Sequence, residues 1–398
     1  MDDCPPEDRF LDLVAGQLTA AGEAEVRAHI AGCARCRRAL IELVRGRAAV
    51  AEPDLEEPAR IDPDHYRIDE ELARGGMGTI LRARDRRLGR FVALKQQWAH
   101  DPAAQERLRR EALITARLQH PSIVPVYEAG RWPSGELFYA MKLVSGRSLA
   151  EVIAGTRSLE DRLVLVPHVI AVAEAAAYAH SEGIVHRDLK PANVVIGPFA
   201  ETVIIDWGLA KVLGDPASAP AEPGVAGMSG EALTLHGTVM GTPAYMPSEQ
   251  ARGREVDARA DVYAIGAILY HVLAGGPPFQ GTVREIIARV VAGRVMPLEQ
   301  RQPGVPEDLA AIVRQAMARD PDDRYPTARE LAQDLQRFQA GRLVSARRYS
   351  RRELVARWLA RRRLAAGVAA TLLAILAATV AVSVLRIRRA RPGHRPPR

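Results

Sequence analysis

Cysteine is scarce in this 398-residue chain: Cys4, Cys33 and Cys36 are the full complement, all near the N-terminus. An odd, clustered set of three excludes a disulfide framework for a large domain and suits a reducing compartment with a metal site. An apolar leader is also missing. Met1 to Phe10 is acidic without a hydrophobic core region, so no secretory signal is expected. Acids are nearly missing from the other end. Arg342 to Arg398 holds 15 bases and one acid, Glu353, while the preceding residues hold 40 bases and 47 acids. The net charge of +7 is therefore a property of one terminus. It argues against a nucleic-acid-binding body and for a membrane surface or anionic lipid. Charge is missing altogether from the 22 residues Leu364–Leu385. What is abundant is apolar residues, at 47 %, enough for a large buried core.

The most informative stretch, Gly183 to Ile196, reads GIVHRDLKPANVVI. Ile184-Val185 and Val194-Val195-Ile196 are strand-like runs that hold a polar loop from both sides. Such a loop can gather a carboxylate (Asp188), an ammonium (Lys190) and an amide (Asn193) in one small volume. Asp206-Trp207-Gly208 follows behind another apolar run, Val203-Ile204-Ile205. HRDLKPAN followed by D-x-G at this spacing resembles the catalytic and metal-binding loops of the Hanks-type protein kinases. The Lys-Pro-x-Asn pattern is similar to the serine/threonine branch, and the whole layout to its bacterial transmembrane members. The resemblance runs from about Tyr66 to Ala340 and implies an α+β, bilobal fold with a β-rich small lobe and a helical large lobe. It assigns Asp188 to orienting a substrate hydroxyl and accepting its proton. Lys190 is assigned to the charge on the transferring phosphoryl group, and Asn193 with Asp206 to Mg2+, with Mn2+ as a substitute. Trp207 stands where the family has Phe. Both are flat and apolar, so packing under the helix that bears Glu111, with function retained, is expected.

Upstream, Tyr66 to Gly89 reads as strand, glycine-rich turn, strand. Glycines let backbone N–H groups approach phosphates that a Cβ would hold off. The resemblance places Leu72, Ala73, Gly75, Gly76, Met77, Gly78 and Ile80 over the nucleotide, although Ala73 replaces the first glycine of the family pattern. Phe91-Val92-Ala93-Leu94-Lys95 matches the family's β3 strand, and a lysine ending an apolar strand needs a partner. By resemblance Lys95 meets the ATP phosphates and Glu111, the glutamate that opens Glu-Ala-Leu-Ile, while Glu106 is left on a solvated helix face. Ala93, Met141, Leu143 and Val195 would line the adenine pocket, with Met141 behind the base. Core packing accounts equally well for the apolar run Phe138–Val144. Residues 160–182 read as one alanine-rich buried helix.

Asp215 to Gly230 is rich in Ala, Pro and Gly, the composition of a loop. Among its flanking hydroxyls, Thr234 and Thr238 are candidate phosphosites, and Thr242 is assigned to bonding the catalytic loop. Arg187 can pair with a phosphate there. The resemblance pairs Glu249 with Arg324 as a buried ion pair and makes Asp261 the anchor of the catalytic-loop backbone. Pro247-Ser248-Glu249 departs from the family's Ala-Pro-Glu.

At the N-terminus, apolar residues recur at helix spacing over residues 1–45, and His29, Cys33 and Cys36 share one helix face. Two thiolates and an imidazole leave tetrahedral Zn2+ one ligand short, and Cys4 is the candidate fourth. A pair of small core cysteines beside a surface histidine is the competing reading. His-x-x-x-Cys-x-x-Cys resembles the zinc-binding module of anti-sigma factors, which implies a sigma factor or another regulator as a partner. Residues 46–65 are an acidic, proline-rich linker, and 341–363 a basic juxtamembrane segment. As a helix, 364–385 would span about 33 Å, enough to cross a bilayer. A buried soluble helix competes, but the kinase fold is complete before it. Nine arginines precede the run and six follow it, which puts the kinase lobe on the cytoplasmic side of a single-pass cell membrane protein. Residues 386–398 would form a short basic extracytoplasmic tail, too short for a sensor domain. The expected activity is phosphoryl transfer from ATP to protein Ser/Thr hydroxyls, with autophosphorylation and a homodimer in view. A kinase-like scaffold or a sigma-factor-binding regulator is the alternative.

Overall fold

The computed structural model describes residues 58–75, 78–97, 102–213, 243–351 and 353, a helix over Arg363–Ala390, and Cys4–Pro6 with isolated positions between Arg9 and Cys36. Gly76, Met77, Thr234, Thr238 and Thr242 lie outside the described residues. The chain divides into two units, Met1–Ala346 and Arg347–Arg398.

In the first unit, β1 (Tyr66–Gly75), β2 (Gly78–Asp85), β3 (Arg90–Gln96), β4 (Val126–Arg131) and β5 (Leu137–Lys142) form an antiparallel sheet of order β1-β2-β3-β5-β4. Strand alternation divides β3 between two cores. Val92 and Leu94 join Tyr66, Leu81, Trp132 and Phe138 on one face. Ala93 joins Leu108, Ala112, Tyr139 and Met141 on the other. Lys95, two residues on from Ala93, therefore points to that second face. This face is covered by α1 (Pro102–Arg117), whose buried positions Ala104, Leu108, Glu111, Ala112 and Thr115 recur at helix spacing.

The large lobe is helical. α2 (Val166–Ser181) packs on α3 (Arg259–Ala274) and on α6 (Ala328–Gln339), and α3 packs on α5 (Glu307–Ala316); α4 (Val283–Ala292) lies between them in sequence. The single helix read over residues 160–182 is in fact two pieces, Leu159–Leu163 and α2. Pro167, in the first turn of α2, has no N–H for the carbonyl four residues back, so the helix breaks before it. α3 is buried on nearly every face and stops at Gly275, whose φ of 72° and N–H bond to the His271 carbonyl make a left-handed cap.

Short strands shape the loops between the lobes. β6 (Arg147–Ser148), β8 (Val194–Ile196) and β9 (Thr202–Ile204) form one sheet, and β7 (Ile184–Val185) pairs with β10 (Lys211–Val212). Near the N-terminus, Phe10, Val26 and Cys36 form a small core with Leu13, Ile30 and Cys33 packed against it.

In the second unit, α7 (Arg363–Ala390) runs 28 residues and contains the whole charge-free stretch. Its side chains from Thr371 to Arg386 are exposed, Leu372, Leu373, Ile375 and Leu376 among them. The stretch Leu159–Ser181 is also long and apolar, with a mean hydropathy of 1.5, but half of it is buried, which makes it a core part of the large lobe rather than a span.

Candidate active site

The second face of the small-lobe sheet delivers Lys95 to two carboxylates. Its Nζ lies 2.5 Å from Glu111 Oε1 on α1 and 3.1 Å from Asp206 Oδ1. Burial works against the ammonium, but Glu111 and Asp206 outweigh it and hold Lys95 above its ordinary value. Burial alone would raise Asp206, yet Lys95 overrides it and keeps that carboxyl below the usual aspartate range. Glu106 is not in this group: it is exposed and lies 3.8 Å from Arg109. The α1 helix thus presents one of its two glutamates inward and the other to solvent.

Below, the loop between β7 and β8 is fixed at its backbone. Asp261, fully buried in the first turn of α3, accepts from the N–H of His186 at 2.8 Å and of Arg187 at 2.9 Å. His180 Nε2 lies 2.8 Å from the same carboxylate. Gln250 Nε2 donates to the Arg187 carbonyl at 2.8 Å. These bonds hold Arg187 at a φ of 68°, a left-handed conformation that costs a non-glycine residue about 1–3 kcal/mol. Asp206 sits at a φ of 67° in the same way. The loop gathers Asp188, Lys190 and Asn193: Lys190 Nζ lies 2.6 Å from Asp188 Oδ2. Asn193 Nδ2 donates to the Asp188 carbonyl at 3.0 Å and toward its Oδ2 at 3.3 Å. The amide nitrogen being occupied, the oxygens of Asn193 and Asp206 are the atoms suited to a hard cation.

Trp207 is buried, with its ring centroid 4.5 Å from that of His186. Ala93 and Met141 are buried in one apolar cluster, and Ile80 and Leu143 pack against it. Leu72 and Ala73 are exposed and Val195 is half-buried. Gly75 pairs with Gly78 at the end of the β1–β2 hairpin. Gly78 has a φ of 118°, and a Cβ there would meet the Gln96 carbonyl oxygen at 2.2 Å. That position accepts glycine alone.

Further out, Arg324 binds Glu249 through both terminal guanidinium nitrogens, at 2.6 and 3.0 Å. It also donates to the carbonyls of Ala318, Arg259 and Arg319. At the N-terminus, one ligand atom each from Cys4, His29, Cys33 and Cys36 lies within 4.8 Å of the others. His29 Nε2 is buried there without a hydrogen-bond partner among the described residues. Burial and the neighbouring thiols push the Cys36 thiol up to about 12. An imidazole with an unpartnered nitrogen, clustered with three sulfurs, is a donor set that fits tetrahedral zinc.

Sequence reasoning passed over three residues that touch the site. Tyr139 donates to Glu111 Oε1 at 2.7 Å, while His180 and Gln250 brace the loop. Tyr139 was hidden in an apolar run and His180 in an alanine-rich helix. Gln250 follows Glu249 directly, and that adjacency is the one local signal that could have found it.

The protein kinase domain model matches residues 66–335, and a zinc-finger model matches residues 7–37. The chain belongs to the protein kinase family. It is 39 % identical over 286 residues to the serine/threonine-protein kinase PknB of Mycobacterium tuberculosis, covering 70 % of this chain and 43 % of the relative. It is 38 % identical over 291 residues to PknB of Mycolicibacterium smegmatis, covering 71 % of this chain and 44 % of the relative. The chain thus spans less than half the length of the curated relatives it matches. The crystallised PknI kinase domain of Mycobacterium tuberculosis aligns at a TM-score of 0.50 and 26 % identity, over 72 % of this chain and 100 % of that one. Cys4 lies outside the zinc-finger match, yet its ligand atom belongs to the cluster.

Proposed function

We propose that the protein is a serine/threonine protein kinase, anchored to the cytoplasmic membrane, that transfers the ATP γ-phosphoryl group to protein hydroxyls. The observation that carries this reading is the convergence of Lys95, Glu111 and Asp206 above a loop that gathers Asp188, Lys190 and Asn193. In the proposed mechanism Asp188 orients the substrate hydroxyl and takes its proton. Lys190 bonds Asp188 Oδ2 and shields charge as the phosphoryl group moves. Lys95, held charged by its two carboxylates, binds the nucleotide phosphates. Ala93, Met141, Ile80 and Leu143 offer an apolar wall to the base, and the hairpin at Gly75–Gly78 covers the phosphates. Asn193 and Asp206 would hold Mg2+ or Mn2+, which supplies charge neutralisation at the phosphates when bound. Arg187 is the proposed regulatory residue. Its Nε is buried without a partner among the described residues, an arrangement that suits a phosphate on the following loop. Thr234 and Thr238 are the proposed phosphosites and Thr242 a proposed loop contact.

Zn2+ held by Cys4, His29, Cys33 and Cys36 is proposed for the N-terminal module, with a sigma factor or similar regulator as its partner. The anchor is the exposed apolar helix α7, flanked by arginines. Proposed boundaries are 1–45 for the module, 46–65 for the linker, 66–340 for the kinase domain and 364–385 for the span.

The test is transfer of radiolabel from ATP to the protein itself or to a generic protein substrate. Asp188→Asn is expected to lower it at least about a hundredfold. Equal labelling by the two proteins would overturn the catalytic assignment and leave the scaffold reading.

A further inference from the structure

Glu111 receives two donors on one oxygen. Lys95 Nζ lies 2.5 Å from Oε1, and the Tyr139 hydroxyl lies 2.7 Å from the same atom. The convergence is built by strand register. Lys95 stands directly opposite Tyr139 in the β3–β5 pairing, so both side chains leave the sheet on the face covered by α1. Two strands therefore address one carboxylate on a helix.

Tyr139 is not there for packing alone. It lines a pocket of about 180 Å3 with Pro58, Leu108, Ala112 and Leu137, and a ring without a hydroxyl could do the same. The phenol is 3 % exposed, and among the described residues its one side-chain hydrogen bond is to Glu111. Burial, reinforced by Glu111, raises it well above its ordinary value, so the hydroxyl is a donor throughout the working pH range.

The ammonium has a choice to make. Lys95 faces Glu111 and Asp206 at once, and a Glu111 held by a single donor could turn about its last torsion. Its other oxygen, Oε2, lies 3.2 Å from where a Cβ would stand on Gly208, so the carboxylate abuts the D-x-G backbone as well. A second donor on Oε1 removes the rotation.

We propose that Tyr139 is a positioning residue: its hydroxyl fixes the Glu111 carboxylate, and through it the Lys95 ammonium, in the geometry that phosphoryl transfer needs. This rests on the protein-kinase reading given above. In this reading the tyrosine acts only through Glu111.

The experiment uses the full chain with Mg-ATP and a generic protein substrate. Tyr139→Phe removes one oxygen and keeps the ring. It is expected to lower kcat about tenfold while KM for ATP moves less than about twofold. The decisive measurement is a double-mutant cycle, in which Tyr139→Phe is added to Glu111→Gln. A hydroxyl acting through Glu111 should cost less than about twofold more in that background. A second readout that needs no turnover is acylation of Lys95 by an ATP acyl-phosphate probe, followed by mass spectrometry, which should slow in Tyr139→Phe. Unchanged kcat and unchanged labelling in the single variant would overturn the inference, and so would losses that simply multiply. Wild type and Asp188→Asn are run alongside. Loss of transfer only in Asp188→Asn upholds the kinase reading whatever Tyr139 does, whereas a silent wild type brings down both.

Discussion

Arg324 is the residue whose removal should damage the fold most directly. Its side chain is wholly buried, it closes a bidentate pair with Glu249, and it satisfies three carbonyls. Arg324→Ala would leave a carboxylate and several acceptors without partners, so a loss of about 3–5 kcal/mol is expected in denaturant melts. Histidine gives a second prediction at this scale. Burial, with help from Arg301, pushes His271 down to about 4, and its ring accepts or donates at 2.6 Å with the Tyr245 hydroxyl. The unfolded chain takes up that proton near pH 6.5, so the folded state is the poorer proton binder. The stabilisation is therefore present above about pH 6.5 and is lost as pH falls toward about 4. Thermal melts at about pH 7.5 and about pH 5 should show this slope, and His271→Gln, which keeps a partner for Tyr245, should flatten it. A slope unaltered by the substitution would assign it to other groups.

At the scale of elements, the hairpin and the catalytic loop are each fixed by contacts that sequence spacing does not reveal. Gly78 lies against the Gln96 carbonyl at the end of β3, with no room for a Cβ. Gly78→Ala must therefore move the β1–β2 turn away from β3. KM for ATP is expected to rise at least about tenfold, with a smaller change in kcat, as steady-state kinetics would show. The loop depends on Asp261, which reaches across from α3 to two consecutive N–H groups. Asp188, Lys190 and Asn193 were legible because they lie within one short run, where motif spacing and spatial proximity coincide. The partners of that run were legible only through resemblance, since Asp261 lies 75 residues beyond His186. The broken helix before α2 shows the opposite error, where an even apolar pattern concealed a proline.

At the scale of the molecule, the exposed face of α7 and its arginine flanks predict partition into the bilayer. Full-length protein should pellet with anionic lipid vesicles, and a chain ending at Ala346 should stay in the supernatant with its kinase activity retained. Equal partition of the two would refute the anchor. The N-terminal cluster predicts close to one zinc per chain by elemental analysis, lost on Cys36→Ser. The family, the two-lobed α+β architecture and the apolar C-terminal helix were determined by sequence alone. Each rests on contiguous residues, whether a fixed run such as HRDLKPAN or a charge-free stretch. The sequence singles out Glu111 over Glu106 and offers Cys4 as a fourth ligand, but only the tertiary structure sets Glu111 2.5 Å from Lys95 and brings the Cys4 ligand atom within 4.8 Å of three others far from it in the chain. It also decided that Tyr139 shares Glu111 with Lys95. Those outcomes depend on strand register and on the face a helix buries, and neither is written in the spacing of neighbouring residues.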